Sequence, residues 1–436
     1  MISGNNKVFL QYEIFQTFFK AIFHVLIATI SMAIPLESMA QGATDITTSQ
    51  GAAPHLSDLK MMDGVDISLL TCSPGNQVWS LYGHTAIRYT DRFNHIDLVI
   101  NYGIFSFAQK NFILRFVFGR TDYQMGIEPF DEFCYEYESQ GRTVIQQRLR
   151  LSQEEKLKIR KAISDNYRPE NRVYRYNFFY DNCTTRARDM LIDHLVDKQV
   201  DYHVNPQITT SYRNMVHQWN SNHRWARFGN DLLLGLESDF KTDYRQQQFL
   251  PDSLRADFAK AVVIEKSGKR YPLVDSTFEV VTPTEAVVQP DKGFWDYVNP
   301  WMVFAMLLVV TLVISVWELR REQTFWLFDT LLLTADGLSG LCLLAMVFSS
   351  HPTVQVNLQI LLLNPLSIIF VYSVSRSAFK HQFNPYWKVL FICLMLFFVS
   401  LIFQHPAEGM VFVACCLMVR CYINYRLYNK KQTKIS

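Results

Sequence analysis

The carboxyl-terminal part of the chain is strongly apolar, and this feature limits the possible folds more than any other. Windows rich in Leu, Val, Ile, Phe and Met occupy residues 298–317, 325–348, 356–375, 386–403 and 408–425. A helix needs ~20 predominantly apolar residues to cross the hydrocarbon core of a bilayer, and each window is close to that length. The sequence therefore predicts an all-α domain of five transmembrane helices at residues 298–436.

Basic side chains between these windows predict the orientation of the helices. They follow the first window, separate the third from the fourth and close the fifth, at Arg320, Arg321, Arg376, Lys380, Lys388, Arg420, Arg426, Lys430 and Lys431. The connections at 349–352 and 404–406 contain no Lys or Arg. Because cytoplasmic loops carry an excess of these residues, we expect a multi-pass protein of a bacterial inner membrane, with residues 41–297 in the periplasm and the carboxyl terminus in the cytoplasm.

The amino terminus has the pattern of an export signal. Lys7 and Lys20 precede an apolar run at 21–34, and small residues around Ala40 precede a polar stretch. This order is typical of a secretory signal peptide at 1–40, cleaved after about Ala40. The run is short for a stable membrane span, and an uncleaved anchor is the alternative. Either form exports the segment that follows.

Residues 41–297 read as a domain with both strands and helices, so we expect the α+β class. Alternating or continuous apolar stretches predict strands at 66–70, 84–89, 96–102, 121–126 and 142–151. Ser152 and Glu155 are spaced as a capping box at the start of a helix, and a second helix is expected to begin near Cys183. The stretch 277–293 is interpreted as the tether to the membrane.

Charge and motifs exclude some classes of function. The formal net charge is only +2, and no long basic stripe or aromatic platform suggests a nucleic-acid partner. No His and Cys set has zinc spacing, and no glycine-rich loop has the spacing of a phosphate-binding motif. The sequence therefore predicts neither a metal site nor a cofactor.

Cys183 is the candidate nucleophile. Three cysteines lie outside the apolar windows, Cys72, Cys134 and Cys183, and in an oxidising compartment two of them can pair and leave one free thiol. Cys183 follows Asp181 and Asn182, which are helix-capping residue types, so its thiol is expected in the first turn of a helix. The amides and dipole there favour a thiolate and suit an oxyanion. A buried structural cysteine is the alternative.

His84 is the candidate general base, because a thiol nucleophile needs a base near neutral pH and an imidazole supplies one. A third group normally orients the imidazole. Asn101 on the next predicted strand suits that role, and Asp97 competes with it. Four more side chains are candidates for lining the pocket: Tyr82, Tyr180, Arg186 and Arg188. For each of them, a structural hydrogen bond or a surface position is the alternative.

The Phe-rich stretch and an acidic residue in the second apolar window each have two interpretations. The Phe-rich stretch 104–118 predicts a short aromatic helix or lid, which either packs in the core or forms a wall for acyl chains. Asp336 lies inside the second apolar window beside Gly337 and Gly340, where a carboxyl group usually faces protein. It either hydrogen-bonds another helix or contacts a lipid headgroup or substrate amine, and Asn364-Pro365 is expected to break the third helix. His351 and His405 lie where they can meet the exported domain.

The segments YGHTAIR at 82–88, NYGIFSF at 101–107 and NFFYDNCTTRARD at 177–189 resemble the Lnb family of envelope lipoprotein N-acyltransferases. The resemblance extends to the membrane segments SHP at 350–352 and LLLNPL at 361–366, and covers nearly the whole chain after the signal. It implies a circularly permuted papain-like domain of the NlpC type. In permuted relatives, among them lecithin:retinol acyltransferase-type proteins, the histidine precedes the cysteine, as here. By this resemblance His84 is the base and Cys183 the nucleophile.

The same resemblance implies the reaction and its partners. A fatty acyl chain passes from a membrane phospholipid, through a Cys183 thioester, to the α-amino group of a diacylglyceryl-cysteine lipoprotein. Two other functions compete with this hypothesis. A membrane-anchored cysteine peptidase or amidase would use the same residues with water as acceptor, and a non-catalytic envelope scaffold would not need Cys183 at all. Five helices with an intramembrane Asp336 fit a lipid substrate better than a simple tether does.

Overall fold

The computed structural model describes residues 59–77, 80–105, 111–203, 209–283 and 294–429, so the predicted signal peptide at 1–40 lies outside the described residues. The strands are β1 Val65–Cys72, β2 His84–Asp91, β3 Ile96–Ile104, β4 Asp122–Pro129, β5 Val144–Leu149, β6 Val173–Arg175, β7 Lys198–Asp201, β8 Val262–Glu265, β9 Arg270–Pro272 and β10 Val274–Val281. The helices of the amino-terminal domain, residues 59–283, are α1 Phe112–Val117, α2 Phe130–Ser139, α3 Gln153–Tyr167, α4 Cys183–Ile192, α5 Tyr212–Asn220, α6 Arg224–Leu233, α7 Tyr244–Gln247 and α8 Pro251–Lys260. Those of the helical domain, residues 294–429, are α9 Phe294–Tyr297, α10 Pro300–Arg321, α11 Trp326–Val347, α12 Pro352–Gln355, α13 Leu366–Phe379, α14 Tyr386–Ser400 and α15 Met410–Asn424.

An antiparallel sheet of seven strands organises the amino-terminal domain, in the order β10-β5-β1-β2-β3-β4-β6. One face buries apolar side chains such as Ile67, Ile87 and Ile100 against α3, α4 and α8, and the other packs against α2. The capping box at Ser152 and Glu155 is formed and starts α3 as expected. Each predicted strand is present, and the α+β class is confirmed.

The predicted tether begins too early. Residues 277–281 belong to β10, which pairs with β5 through contacts such as Thr277 with Gln147 and Phe278 with Gln146. The strand is an edge strand with most side chains partly or fully exposed, so its composition gives little sign of a core position. The connection to the helical domain therefore starts after Val281, and 284–293 lie outside the described residues.

The helical domain contains four segments long and apolar enough to cross a membrane: Pro300–Arg321, Trp326–Val347, Pro352–Phe379 and Met410–Tyr428. The fourth predicted window forms α14, which is apolar but has only 15 residues. The third segment is broken as expected. A 3-10 turn at Leu358–Leu361 precedes Asn364-Pro365, and α13 begins directly after the proline, which has no amide to donate.

Asp336 connects α11 to the start of α13. Its Oδ2 accepts a hydrogen bond of 2.5 Å from the Ser367 hydroxyl and one of 3.4 Å from the Asn364 amide. A Cβ at Gly340 would collide with the backbone around Pro365, so glycine is what lets the two helices approach this closely. The interhelical hydrogen bond expected for Asp336 is confirmed.

Arg420 does not lie in a basic loop. Its side chain is fully buried inside the helical domain, between the carboxylates of Glu318 on α10 and Asp329 on α11. The Arg420 guanidinium donates to Asp329 Oδ1 over 2.6 Å and to Glu318 Oε1 over 2.8 Å. It therefore joins three helices. Because it is buried, it is not one of the basic loop residues that indicate the orientation of the helices.

The two domains are docked through the segment 231–239, which ends α6 and includes the following turn. Its backbone is held by the helical domain: the Gly235 amide donates to the Thr353 carbonyl over 2.7 Å, and the Gln359 side chain donates to the Asp231 carbonyl over 2.9 Å. From within the amino-terminal domain, the buried Arg213 side chain donates to both Asp231 and Asp239. These contacts fix the sheet relative to the helices.

Both histidines expected to meet the exported domain do so. The His405 ring is 3.1 Å from Asp239 Oδ1, and the His351 ring lies against Gly119, between α1 and β4. Phe228 of α6 also packs into the core of the helical domain, against Phe304. The interface thus has an apolar centre as well as hydrogen bonds.

Replacing Gly235 by Ala is expected to destabilise this docking. Gly235 has φ −92°, which any residue adopts, but a Cβ there would collide with the Val356 carbonyl of the helical domain. We expect a loss of about 1–3 kcal/mol, the usual effect of overpacking, measured as a lower thermal midpoint in detergent.

Gly268→Ala is the contrasting control. A Cβ at Gly268 meets nothing within 4 Å, and its φ of +84° is the source of strain. The Gly268→Ala variant should have a lower thermal midpoint, but the region between its two domains should be no more sensitive to protease than in the wild type. Equal protease sensitivity in both variants would contradict the docking role of Gly235.

Candidate active site

Cys183 is the first residue of α4, and the residue before it explains why the helix starts there. Asn182 Oδ1 accepts hydrogen bonds of 2.9 Å from the amides of Thr184 and Thr185, and the Thr185 hydroxyl accepts one from the Asn182 amide. This reciprocal cap stabilises the first turn. It also uses the Thr184 and Thr185 amides, so these two are not available to the oxyanion expected at this helix start.

His84 is placed beside Cys183 by the β2 and β3 strands. Gly83 before it has φ +77°, and a Cβ there would approach the Cys72 carbonyl oxygen to 2.6 Å. Gly103 at the end of β3 has φ +96° and faces the Cys183 Cβ. The Thr85 and Thr184 hydroxyls, 3.0 Å apart and both buried, connect β2 to α4. Two glycines and a threonine pair therefore bring the strand and the helix terminus together.

The three predicted site residues meet in space. The Cys183 thiol and the His84 side chain are close enough for each to shift the pKa of the other, and His84 Nε2 is 2.9 Å from Asn101 Oδ1. Because Nε2 is engaged by Asn101, Nδ1 is the ring nitrogen left for the sulfur. Asn101 is 7% exposed, so this hydrogen bond is shielded from water. The Cys183 thiol, the His84 imidazole and the Asn101 amide are thus neighbours in that order and form the Cys183–His84–Asn101 line.

The electrostatics of the pair favour charge separation. Burial raises the pKa of Cys183, but the charge and hydrogen bond of His84, with donors from Thr85 and Thr184, outweigh it, and the pKa lies below the ordinary thiol value. Burial lowers the pKa of His84, but Cys183 and Asn101 outweigh that effect and raise it. Both shifts stabilise a thiolate beside an imidazolium.

The other two cysteines of the domain behave differently. Cys72 and Cys134 are free in the structure, so the pairing considered from the sequence is not formed. Both lie against the apolar cluster under α2, and burial raises the pKa of Cys72 to about 12 and that of Cys134 to about 11. Cys183 is therefore distinguished by its surroundings and not by being the odd cysteine.

The remaining candidates have other partners. Asp97, the competitor of Asn101, is bound by Arg88 through two hydrogen bonds of 2.8 and 2.6 Å, so it does not reach His84. The four side chains considered for the pocket each have a structural partner: Tyr82 with Asn230, Tyr180 with Glu237, Arg186 with Asp181, and Arg188 with the Arg245 carbonyl.

Family comparison matches both parts of the chain. The Lnb N-terminal periplasmic domain matches residues 58–218, and the Lnb transmembrane domain matches residues 291–432. The chain belongs to the Lnb family. It is an inner-membrane protein with a periplasmic amino-terminal domain, and this pairing of domains fits a membrane-anchored envelope enzyme.

Neither the comparison with curated proteins nor the comparison with solved structures found a match. The permuted papain-like relationship therefore stays a prediction. That prediction rests on the order of the site residues along this Lnb chain. The strand that carries His84 comes before the helix that carries Cys183.

An aromatic wall flanks the thiol of this Lnb domain. Phe105 stacks on Tyr123 with ring centroids 4.7 Å apart, and Tyr123 stacks on Tyr176 at 4.1 Å. Tyr123, Tyr176 and Cys183 pack against the same core cluster. Only Phe105 of this wall belongs to the Phe-rich stretch. The two tyrosines were missed because Tyr123 lies on β4 and Tyr176 directly after β6, so they meet only after folding.

The Phe-rich stretch does form a short helix, α1. Leu114 is 59% exposed and Phe116 36% exposed, so these two side chains are not core residues. The Phe118 carbonyl, just after α1, accepts a hydrogen bond from the Ser350 amide of the helical domain. An exposed apolar helix therefore lies against the end of the second apolar span.

We expect iodoacetamide to alkylate Cys183 well below pH 9.0, the ordinary thiol pKa, because its lowered pKa keeps the thiolate present there. The rate should fall only as the pH drops through that lowered pKa. Cys72 and Cys134 should stay unreactive at neutral pH, because their pKa values are raised. Peptide mass spectrometry over roughly pH 5 to 9 measures each thiol separately.

Two controls accompany this measurement. In denaturant the three thiols should react alike, and His84→Gln should move the Cys183 profile toward the ordinary thiol. A Cys183 profile that is identical in native and denatured protein would show that the thiol is not activated.

Proposed function

We propose that this Lnb protein is a lipoprotein N-acyltransferase. It moves a fatty acyl chain from a membrane phospholipid to the α-amino group of a diacylglyceryl-cysteine lipoprotein. The observation that supports this most is the Cys183–His84–Asn101 line in a domain docked against apolar membrane helices. Both substrates are lipids of the membrane surface, so a thiol held at a constant position above the helices meets both without extracting either. We place the carboxyl terminus in the cytoplasm, as the loop charges indicate.

The first half of the reaction acylates the enzyme. His84 Nδ1 takes the thiol proton, and the Cys183 thiolate attacks the ester carbonyl of the phospholipid. The carbon–oxygen bond to the glycerol breaks, the His84 imidazolium returns the proton to the departing alkoxide, and a lysophospholipid leaves. Because the Asn182 cap occupies the next two amides, the Cys183 amide itself is the donor that we assign to the oxyanion.

The second half transfers the acyl chain. The lipoprotein amine attacks the thioester carbonyl and gives its proton to His84. The carbon–sulfur bond breaks, the amide product forms, and the proton returns to Cys183. Every proton and leaving group is accounted for by the thiol and the imidazole, so the proposal needs no cofactor.

The donor lipid reaches the thiol along α1 in this proposal. Leu114 and Phe116 would contact the acyl region of the outer leaflet, since α1 lies against the end of the second apolar span. The stacked rings of Phe105, Tyr123 and Tyr176 then offer an apolar surface for the acyl chain beside Cys183. Apolar contact area of this kind favours a lipid substrate over a peptide.

Mass spectrometry of lipoprotein amino-terminal peptides tests the proposal. Cells carry the wild-type protein, Cys183→Ala or no copy, and membranes are checked for equal amounts of the two proteins. The extra N-acyl chain is expected only with the wild type. Equal acylation in all three strains would overturn the proposal.

A hydrolase would give a different result in the same strains. Loss of Cys183 would leave lipoprotein acylation unchanged but alter a cell-wall or ester substrate. With phospholipid alone, a purified ester hydrolase would release free fatty acid at full rate and a cell-wall hydrolase would leave the lipid intact. A transferase is expected to stall as the acyl-enzyme until an amine acceptor arrives.

A further inference from the structure

The hydrogen-bonded line at the thiol extends beyond Asn101. The Asn101 Nδ2 donates to a carboxylate oxygen of Glu128, on the neighbouring strand β4. In the β3–β4 register Glu128 is paired with Val99 and Asn101 with Gly126, so both side chains lie on the α2 side of the sheet. Nothing in the reaction described above uses Glu128.

We propose that Glu128 is a positioning residue that fixes the direction of the Asn101 amide and, through it, the His84 ring. The inference rests on the proposed role of Cys183 and His84 and adds a fourth member to their line. It concerns orientation, because Glu128 touches neither the sulfur nor the imidazole.

The physical reason is the near symmetry of an asparagine amide. Its oxygen and its nitrogen are almost equal in size, so packing alone does not select which of them faces His84. An ionised carboxylate only accepts hydrogen bonds, so Glu128 holds the Asn101 nitrogen toward itself. The Asn101 oxygen is then turned to His84 Nε2, which must carry the proton. Nδ1 is left unprotonated and able to receive the thiol proton.

The surroundings of Glu128 agree with this role. Burial and the carboxylate of Glu136 raise the pKa of Glu128 to about 7, His84 opposes them, and Glu132 adds to the rise. The charged groups that face it are thus Glu132 and Glu136 from α2 and His84 from β2. A protonated Glu128 keeps a carbonyl oxygen that can accept from Asn101, but its hydroxyl can also donate, so its orienting effect is strongest above about pH 7, where the carboxylate is ionised.

The test compares Glu128→Leu, which removes the acceptor, with Glu128→Gln, which keeps one. The readouts are the pH profile of Cys183 alkylation and the rate of acyl transfer in the full-length protein. We expect Glu128→Leu to slow both at neutral pH by about tenfold, the lower end of what outer-shell partners of histidines contribute. The alkylation midpoint should move to higher pH. Glu128→Gln should restore part of the reactivity, because its amide oxygen can accept from Asn101 although its nitrogen can also donate.

Two further variants separate positioning from a merely structural role. Glu132→Leu removes an exposed neighbouring carboxylate that is not bonded to Asn101, and it should leave the alkylation profile unchanged. In an Asn101→Ala background, Glu128→Leu should have no additional effect, because the amide that it orients is gone. Additive effects, or a Glu128→Leu protein that is less stable but has an unshifted profile, would overturn the proposal.

The alkylation readout also distinguishes this inference from the proposed function. It reports on the thiol without any acyl substrate. If lipoproteins are acylated without Cys183, the proposed transfer is wrong, while the dependence of the thiol on Glu128 is still measured. If transfer needs Cys183 but alkylation ignores Glu128, only the inference fails.

Discussion

Cys183→Ala is expected to lower the rate of lipoprotein N-acylation by at least about 10³-fold, the scale of losing a catalytic nucleophile. The reason is that the acyl chain is carried on the sulfur, and the structure offers no second activated thiol nearby: burial raises the pKa of both Cys72 and Cys134. The measurement is transfer from phospholipid to a synthetic diacylated lipopeptide by purified protein in nanodiscs, followed by mass spectrometry.

His84→Gln should be nearly as inactive as Cys183→Ala, and the double variant should be no worse than either, because residues that act as one unit are not additive. Cys134→Ala is the matched control, since it removes a partly buried thiol of the same domain that packs against the apolar cluster under α2. Wild-type protein incubated with phospholipid alone should gain the mass of one acyl chain on the peptide that contains Cys183. Retained transfer by Cys183→Ala would exclude the thioester route.

Arg420→Met is expected to have the largest effect on stability. The side chains of Arg420, Glu318 and Asp329 are all fully buried, and the Arg420 guanidinium also donates to the Ser315 hydroxyl over 3.1 Å. Removing the cation leaves two carboxylates without their charge partner in a low-dielectric interior. Breaking a buried pair in this way costs about 3–5 kcal/mol. The measurement is the thermal midpoint in detergent, followed by size-exclusion chromatography.

Arg426→Met is the matched control. Arg426 lies six residues further along the chain, is exposed, and bonds only to the Tyr422 hydroxyl among the contacts described for it. Its loss should change stability by less than about 0.5 kcal/mol. The triple variant with Glu318→Gln and Asp329→Asn should recover much of the stability lost in Arg420→Met, because the carboxylates are then neutral. No recovery would mean that Arg420 acts through packing and not through charge.

Local patterns were enough to predict the parts of the site that depend on short-range contacts. The Asn182 cap, the Ser152 and Glu155 capping box and the break at Asn364-Pro365 all involve atoms within four residues of one another along the chain. His84 and Asn101 were predicted together because a short connection joins their strands. In the antiparallel register Asn101 pairs with Ala86, which places it diagonally across from His84 on the same face of the sheet. The choice of Asn101 over Asp97 for the contact with His84 agrees with the geometry.

Other features depend on how distant segments pack, and local patterns carry no signal for them. Glu128 meets Asn101 only because β3 and β4 pair in one particular register, and a shift by one residue would turn it to the other face. Cys72 and Cys134 are cysteines of an exported domain and could pair in a disulfide, but the positions of β1 and α2 leave both thiols free. The loop charges counted Arg420 as basic surface, whereas helix packing buries it against two acids.

The sequence by itself determined that the chain has an exported α+β domain followed by apolar spans, and it made a helix-start cysteine and a strand histidine the candidates for thiol chemistry. These conclusions follow from periodicity, length and capping, which are properties of neighbouring residues. Only the tertiary structure decided which ring nitrogen of His84 lies against Asn101, that Glu128 is hydrogen-bonded to Asn101, and that the segment 231–239 docks one domain on the other. Those results depend on strand register and on packing between residues far apart in the chain, from 17 residues for His84 with Asn101 to 128 residues for Gln359 with Asp231, so no local pattern could have revealed them.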